Sequence, residues 1–247
     1  EHQMLAFAAL SVALASPPGG GGGALQRWAL PRLLAWFKES DFAREKHEEH
    51  VQSESVLHMI KGTPFAGAPD DLKLRFVDES GGQFVSDFMQ LEQRLLGDWK
   101  VGKIVEAAGE GFDSAAARQD MRALVGSRPV VCFSFVDCPW CLAAKRLLFD
   151  ELALSDEQCL VLELEDLGRR GKSLRAAIAL GTGRTSLPAV FVGGRSLGGF
   201  TDGFDRVDEA TFLGEAELCV DGSPGLRDLH ARGELVPMIA RASSSPM

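Results

Sequence analysis

Val130-Val131-Cys132-Phe133-Ser134-Phe135, Cys138-Pro139-Trp140-Cys141 and Leu142-Ala143-Ala144-Lys145-Arg146-Leu147-Leu148-Phe149 together form the stretch that decides the fold. The first segment alternates and is β-rich, while the third carries apolar residues at helical spacing. The two thiols between them therefore sit at a strand-to-helix junction. Cys138 falls at the helix N-terminus, where unpaired backbone N–H groups and the helix dipole stabilise a thiolate. Cys141 lies one turn in, within reach of a mixed disulfide formed on Cys138. Such a pair suits thiol–disulfide exchange. Half a zinc site would need a second Cys/His pair at ligand spacing, whereas Cys132, Cys159 and Cys219 are isolated, with only His230 near any of them. A structural disulfide closing a two-residue loop at a helix start would be strained and reducible.

Outward from this junction, Asp113-Ser114 reads as the cap of a helix from Ala115 to Val125 that Gly126 ends. Strands are expected at Leu160–Leu164, Ala189–Val192 and Arg195–Leu197, and a helix at Lys172–Leu180. Gly193-Gly194 turns the last two strands into an antiparallel hairpin, and the first β-α-β unit requires a right-handed parallel crossover. The order α-β-α-β-α-β-β-α implies an α/β thioredoxin-like fold, a four-stranded mixed sheet with helices on both faces and an N-terminal extension.

Upstream, Leu72–Val77 alternates like a strand, Asp78–Gly82 reads as a turn, and Phe84, Phe88, Leu91, Leu95 and Leu96 mark a helix. Residues 24–111 are thus expected to form an extension of unknown function, either a small α+β appendage or a segment that packs on the redox domain, with no recognisable chemistry of its own. His47, His50 and His58 share roughly one helical face. His47-Glu48-Glu49-His50 nevertheless lacks the spacing of a zincin helix and reads as an exposed acidic helix. Met4–Ala15 is an apolar run ending in Ala13-Leu14-Ala15, followed by Ser16-Pro17-Pro18 and the Gly19–Gly23 spacer. It fits the apolar part of a signal segment and is short for a transmembrane helix. With the basic, acid-poor stretch of Arg27, Arg32 and Lys38 behind it, residues 1–23 suggest a leader into a plastid or another compartment reached through an N-terminal signal, the alternative being a cytoplasmic protein. The net charge of −9 argues against nucleic acid or anionic lipid as the main partner. Five cysteines in 247 residues are too few for a disulfide-stapled scaffold.

Four ordered blocks resemble the glutaredoxins: Phe133-Ser134 with Cys138-Pro139-Trp140-Cys141, Thr182–Pro188, Val190-Phe191-Val192-Gly193-Gly194, and Gly198-Gly199-Phe200-Thr201-Asp202. The resemblance covers roughly Ala115 to Ala242, within a domain taken as 113–242. It implies a glutathione-dependent thiol–disulfide oxidoreductase that reduces glutathione mixed disulfides and protein disulfides. Cys138 would be the nucleophile, Cys141 the resolving thiol, and Trp140 an apolar wall beside the sulfur. Leu187-Pro188 matches the family's cis-proline turn, so that the Leu187 backbone would pair with glutathione's cysteine residue. Gly198 and Gly199 would permit close approach. Thr201 and Asp202, beginning a helix, would hold the γ-glutamyl carboxylate and ammonium. Glutathione is the co-substrate implied, with no metal or flavin, in a monomer whose mature chain has no stable membrane insertion.

Two departures stand out. The family usually carries a lysine three residues before the nucleophile, where this chain has Phe135; Arg175 or Arg184 is expected to hold the glycyl carboxylate instead. Asp137, directly before Cys138, should oppose the thiolate unless it points away. The acidic stretch from Phe204 to Pro224, including Cys219, is inserted relative to the family and reads as a solvated loop, with the cysteine buried. Two other readings of the thiols remain. One is a glutathione-ligated [2Fe–2S] dimer held through Cys138, which the proline after the first cysteine disfavours. The other is a thioredoxin-type protein disulfide reductase.

Overall fold

A computed structural model describes residue 65 and residues 67–204 and 214–244. The expected leader at 1–23, the histidines of the acidic segment and residues 205–213 lie outside them. Four strands form one mixed sheet in the order β2-β1-β3-β4. They are β1 (Val130–Ser134), β2 (Cys159–Glu163), β3 (Ala189–Val192) and β4 (Arg195–Gly198). β1 pairs parallel with β2 and antiparallel with β3, and β3 and β4 form the antiparallel hairpin.

The period of two along β1 and β3 sorts their side chains between two cores. Val130, Cys132, Val190 and Val192 face the α4 (Pro139–Arg146), α6 (Leu226–Ala231) and α7 (Leu235–Ser244) side. Val131, Phe133, Ala189 and Phe191 face α3 (Ser114–Val125) and α5 (Gly168–Thr182). Both faces of β1 and β3 are therefore covered, as expected. α3 begins where the sequence marks it, with the Asp113 carboxylate accepting from Ala115 N–H at 2.9 Å and Ala116 N–H at 3.0 Å. α4 runs directly into a π-helical turn at Leu147–Glu151.

The extension departs from expectation. Leu72–Val77 is no strand: it lies in α1 (Asp70–Asp78), which α2 (Ser80–Ala107) follows after the single residue Glu79. Alternation in a six-residue window fits either period, and here the buried pair is Lys73 and Val77, one helical turn apart. Among the described residues the extension contains helices and no strand, so the α+β expectation is not met there. α1 packs against α4, and α2 against α5, where Ile104 and Ala108 meet Ala176 and Ala179.

The region after β4 also differs. Asp202, Gly203 and Phe204 are not helical, so Thr201-Asp202 does not open a helix. A Cβ on Gly203 would run into the Ser223 carbonyl, which shows how closely residues 223–225 pack onto this turn. The Gly199 N–H closes the turn onto Asp202 O at 2.6 Å. α6 starts only at Leu226, its first N–H groups spent on Gly199 O and Phe200 O. Nor is residue 214 onward a solvated loop. A 3-10 turn at Ala216–Leu218 leads to Cys219, which is buried beside β4 in a bridge to Ser196. Glu215 is tied to Arg118 at 2.8 Å and to Arg122.

Candidate active site

Cys138 is the N-cap residue of α4, with Pro139 at the first helical position, where its missing N–H costs nothing. Its sulfur takes the place of a capping oxygen: the Cys141 backbone N–H donates to Cys138 Sγ at 3.3 Å. Cys141 itself is buried, and the Phe135 N–H donates to its sulfur at 3.4 Å. The two thiols are pushed in opposite directions. The Cys141 thiol donating to the Cys138 sulfur is the largest cause lowering the Cys138 pKa; burial opposes it, and backbone N–H groups and Lys145 reinforce it. Cys141 is held well above the ordinary thiol value, first by burial and then by its role as donor. All five cysteines are free thiols. Burial raises Cys132 strongly, and Cys159 and Cys219 to about 12. Half-buried Cys138 is thus the thiol poised to ionise.

Leu187-Pro188 is a cis peptide, and Leu187 O lies 3.7 Å from Cys138 Sγ. The strand-to-helix turn and the proline turn therefore converge on one sulfur. Beside them, the Arg175 guanidinium stacks over the Phe135 ring at 5.0 Å and donates to Thr185 O at 2.7 Å. Phe135, at the position where the resemblance implied a lysine, thus supports an arginine. Burial lowers the Arg175 pKa to about 10, which the charges on Cys141 and Cys138 oppose. Its Nε is buried and without a partner.

Arg184 is differently employed. Its guanidinium pairs with Asp202 Oδ2 at 2.6 Å and donates to Ser186 Oγ and Gly203 O, both at 3.0 Å. A Cβ on Gly199 would meet Arg184 Nη2 at 2.7 Å and Pro188 O at 3.3 Å, and would strike the Asp202 carboxylate. Gly199, Pro188, Arg184 and Asp202 thus form a second cluster. Arg184 is bound internally, and one oxygen of Asp202 is already taken.

Four residues of the extension reach this site, and none was expected there. Lys73, buried, pairs with Asp137 at 2.9 Å and with Asp70 at 3.5 Å. Burial presses its pKa down, but the two carboxylates outweigh that and leave it raised. Phe76 meets Trp140 edge-on at 6.1 Å. Ser86 Oγ lies 2.7 Å from Thr201 Oγ1. The Gln93 amide donates to Gly183 O at 2.7 Å and accepts from Thr185 N–H at 3.1 Å and Thr185 Oγ1–H at 2.5 Å. The available signal was Lys73 itself: read as a helix, Leu72–Val77 places a lysine on the buried face with Val77.

The glutaredoxin family model matches residues 130–197. A glutaredoxin of Ricinus communis is 32% identical over 123 residues, covering 50% of this chain and 93% of its own. Glutaredoxin-C4, chloroplastic, of Oryza sativa subsp. japonica is 42% identical over 81 residues, covering 33% of this chain. The match spans 57% of that rice protein's length. The solved buckwheat glutaredoxin–glutathione complex is 28% identical, with a TM-score of 0.39, over 54% of this chain and 96% of its own. Through a thiol pair at a strand-to-helix turn and near full-length likeness to the Ricinus protein, this chain belongs to the glutaredoxin family of thiol oxidoreductases.

Proposed function

We propose that the chain reduces glutathione mixed disulfides, and protein disulfides, through Cys138. The observation that carries this is the capped, electropositive setting of one thiol: Cys138 Sγ receives the Cys141 N–H at a helix start, 3.7 Å from the cis-proline turn. The Cys138 thiolate attacks the glutathione sulfur of a protein–glutathione mixed disulfide. A Cys138–glutathione disulfide forms, and the protein thiolate leaves and takes a proton. A second glutathione thiolate then attacks the glutathione sulfur, releasing glutathione disulfide and restoring Cys138. For a protein disulfide, Cys138 forms the mixed disulfide, and Cys141, losing its proton, displaces the second protein thiol. Two glutathiones then reduce the Cys138–Cys141 disulfide.

In this reading glutathione lies along the Leu187 backbone, with its γ-glutamyl end toward Gly199, Thr201 and Asp202. The holder proposed for its glycyl carboxylate is Arg175: the Nε atoms of Arg175 and Arg184 are both buried without a partner, but both terminal nitrogens of Arg184 are already bonded, to Gly203 O, Ser186 Oγ and Asp202 Oδ2. Arg184 serves Asp202 instead, setting the carboxylate that would accept from the γ-glutamyl ammonium. Residues 113–242 form the catalytic domain, and the leader at 1–23 delivers it to a plastid, the location that the rice relative's name prints. A fluorescent fusion of the full chain checks that delivery.

The decisive experiment is a glutathione-coupled mixed-disulfide assay on the wild type, Cys138→Ser and Cys141→Ser. Complete loss in Cys138→Ser with retained turnover in Cys141→Ser is expected. Turnover in Cys138→Ser, or none in the wild type, would overturn the assignment.

A further inference from the structure

Asp137 is the residue next to the nucleophile, and two charged groups of opposite sign face it. Glu165 faces it from the end of β2, accepting the Val136 N–H at 2.9 Å, and the two carboxylates repel one another. The cation that meets Asp137 comes from outside the 113–242 domain: Lys73 of α1, its side chain 6% exposed, lies 2.9 Å from Asp137 Oδ1. Three residues further on, Phe76 stands edge-on to Trp140 inside the Cys138–Cys141 motif. α1 therefore touches the redox turn at two points, one electrostatic and one apolar.

We propose that Lys73 is a positioning residue of the thiol site, neutralising and orienting the Asp137 carboxylate so that the nucleophile's neighbour does not oppose the Cys138 thiolate. The extension is then part of the redox site rather than an appendage to it. A buried lysine is retained only where its charge is matched, and here the partner is the one carboxylate bonded in sequence to the nucleophile. Other charges acting on Cys138 are Lys145 on α4, itself paired with Glu163 of β2 at 2.7 Å, and Arg175 on α5, with Cys141 as the donor thiol. Asp70, the other partner of Lys73, is largely exposed and is solvated without it.

This rests on Cys138 being the reactive thiol, and it is tested without glutathione. The readout is the pH midpoint of Cys138 alkylation by iodoacetamide, followed by site-resolved mass spectrometry on the full chain. Lys73→Met leaves Asp137 and Glu165 facing one another and should raise the midpoint by about half to one unit, a shift moderated by the exposure of Asp137. Lys73→Met with Asp137→Asn removes both charges and should restore the wild-type midpoint; Lys73→Arg should stay near it. Asp137→Asn alone frees a cation beside the site and should lower the midpoint or leave it. It serves also if Lys73→Met fails to fold by circular dichroism. An unmoved midpoint in a folded Lys73→Met, a shift that persists in the double variant, or a rise in Asp137→Asn overturns the proposal. Wild-type turnover of glutathione mixed disulfides is measured separately, so failure of the functional assignment is not confused with failure of this one.

Discussion

Cys141 acts on Cys138 twice, through its backbone N–H and through its thiol, and only the second contact depends on the side chain. Replacing Cys141 with alanine removes the thiol donor and leaves the backbone donor in place. A hydrogen bond to a charged group is worth about 1.5–3 kcal/mol, and one pKa unit corresponds to about 1.36 kcal/mol, so the full effect would be about 1–2 units. Cys138 is only half-buried and keeps the backbone N–H groups and Lys145, which argues for the lower end, about one unit upward. Cys141→Ser keeps a hydroxyl donor and should move the midpoint by less than half as much. Below both midpoints, one unit means about tenfold less thiolate, partly offset by its greater nucleophilicity, so alkylation of Cys141→Ala should slow about threefold. Iodoacetamide titration from acid to alkaline pH, read by mass spectrometry at Cys138, measures this directly. Cys132, Cys159 and Cys219 are buried with raised pKa values and should stay unmodified. A Cys141→Ala midpoint that does not rise above that of Cys141→Ser would refute the thiol-donor account and leave the helix terminus alone responsible.

Four further outcomes are expected. Arg175→Ala should raise the KM for the glutathione-bearing substrate several-fold in steady-state kinetics. Arg184→Met should instead cost about 2–3 kcal/mol in urea denaturation by stranding Asp202; equal effects on KM alone would contradict the division between them. Gln93→Ala leaves Thr185 N–H and Gly183 O without their bonds, so we expect a loss of about 1–3 kcal/mol and a lower kcat/KM, with the Cys138 alkylation midpoint unmoved. In Gly171→Ala a new methyl would strike the Leu164 carbonyl where α5 packs on the end of β2. Overpacking of this kind costs about 1–3 kcal/mol, and an unchanged urea midpoint would show that α5 can shift away.

What the sequence determined by itself was local. The alternation of Val130–Phe135, the Pro139 start, the Asp113 cap and the Gly193-Gly194 turn each act within a few residues, and the elements they mark are all present. The thiol pair at the turn was legible for the same reason, since a thiol at a helix start needs only its own backbone, whereas the cis-proline turn was expected from the family resemblance alone. Leu72–Val77 was misread because six residues satisfy both periods, and the tie is broken only by burial against α4. Tertiary structure alone brought Lys73 to Asp137, Ser86 to Thr201 and Gln93 to Thr185. It also turned Arg184 inward to Asp202 while leaving Arg175 over Phe135. Such partners lie up to 115 positions apart. No pattern along the chain joins them, because a buried charge or amide is satisfied by whatever group packing delivers, and packing is a property of the folded surface rather than of the order of residues.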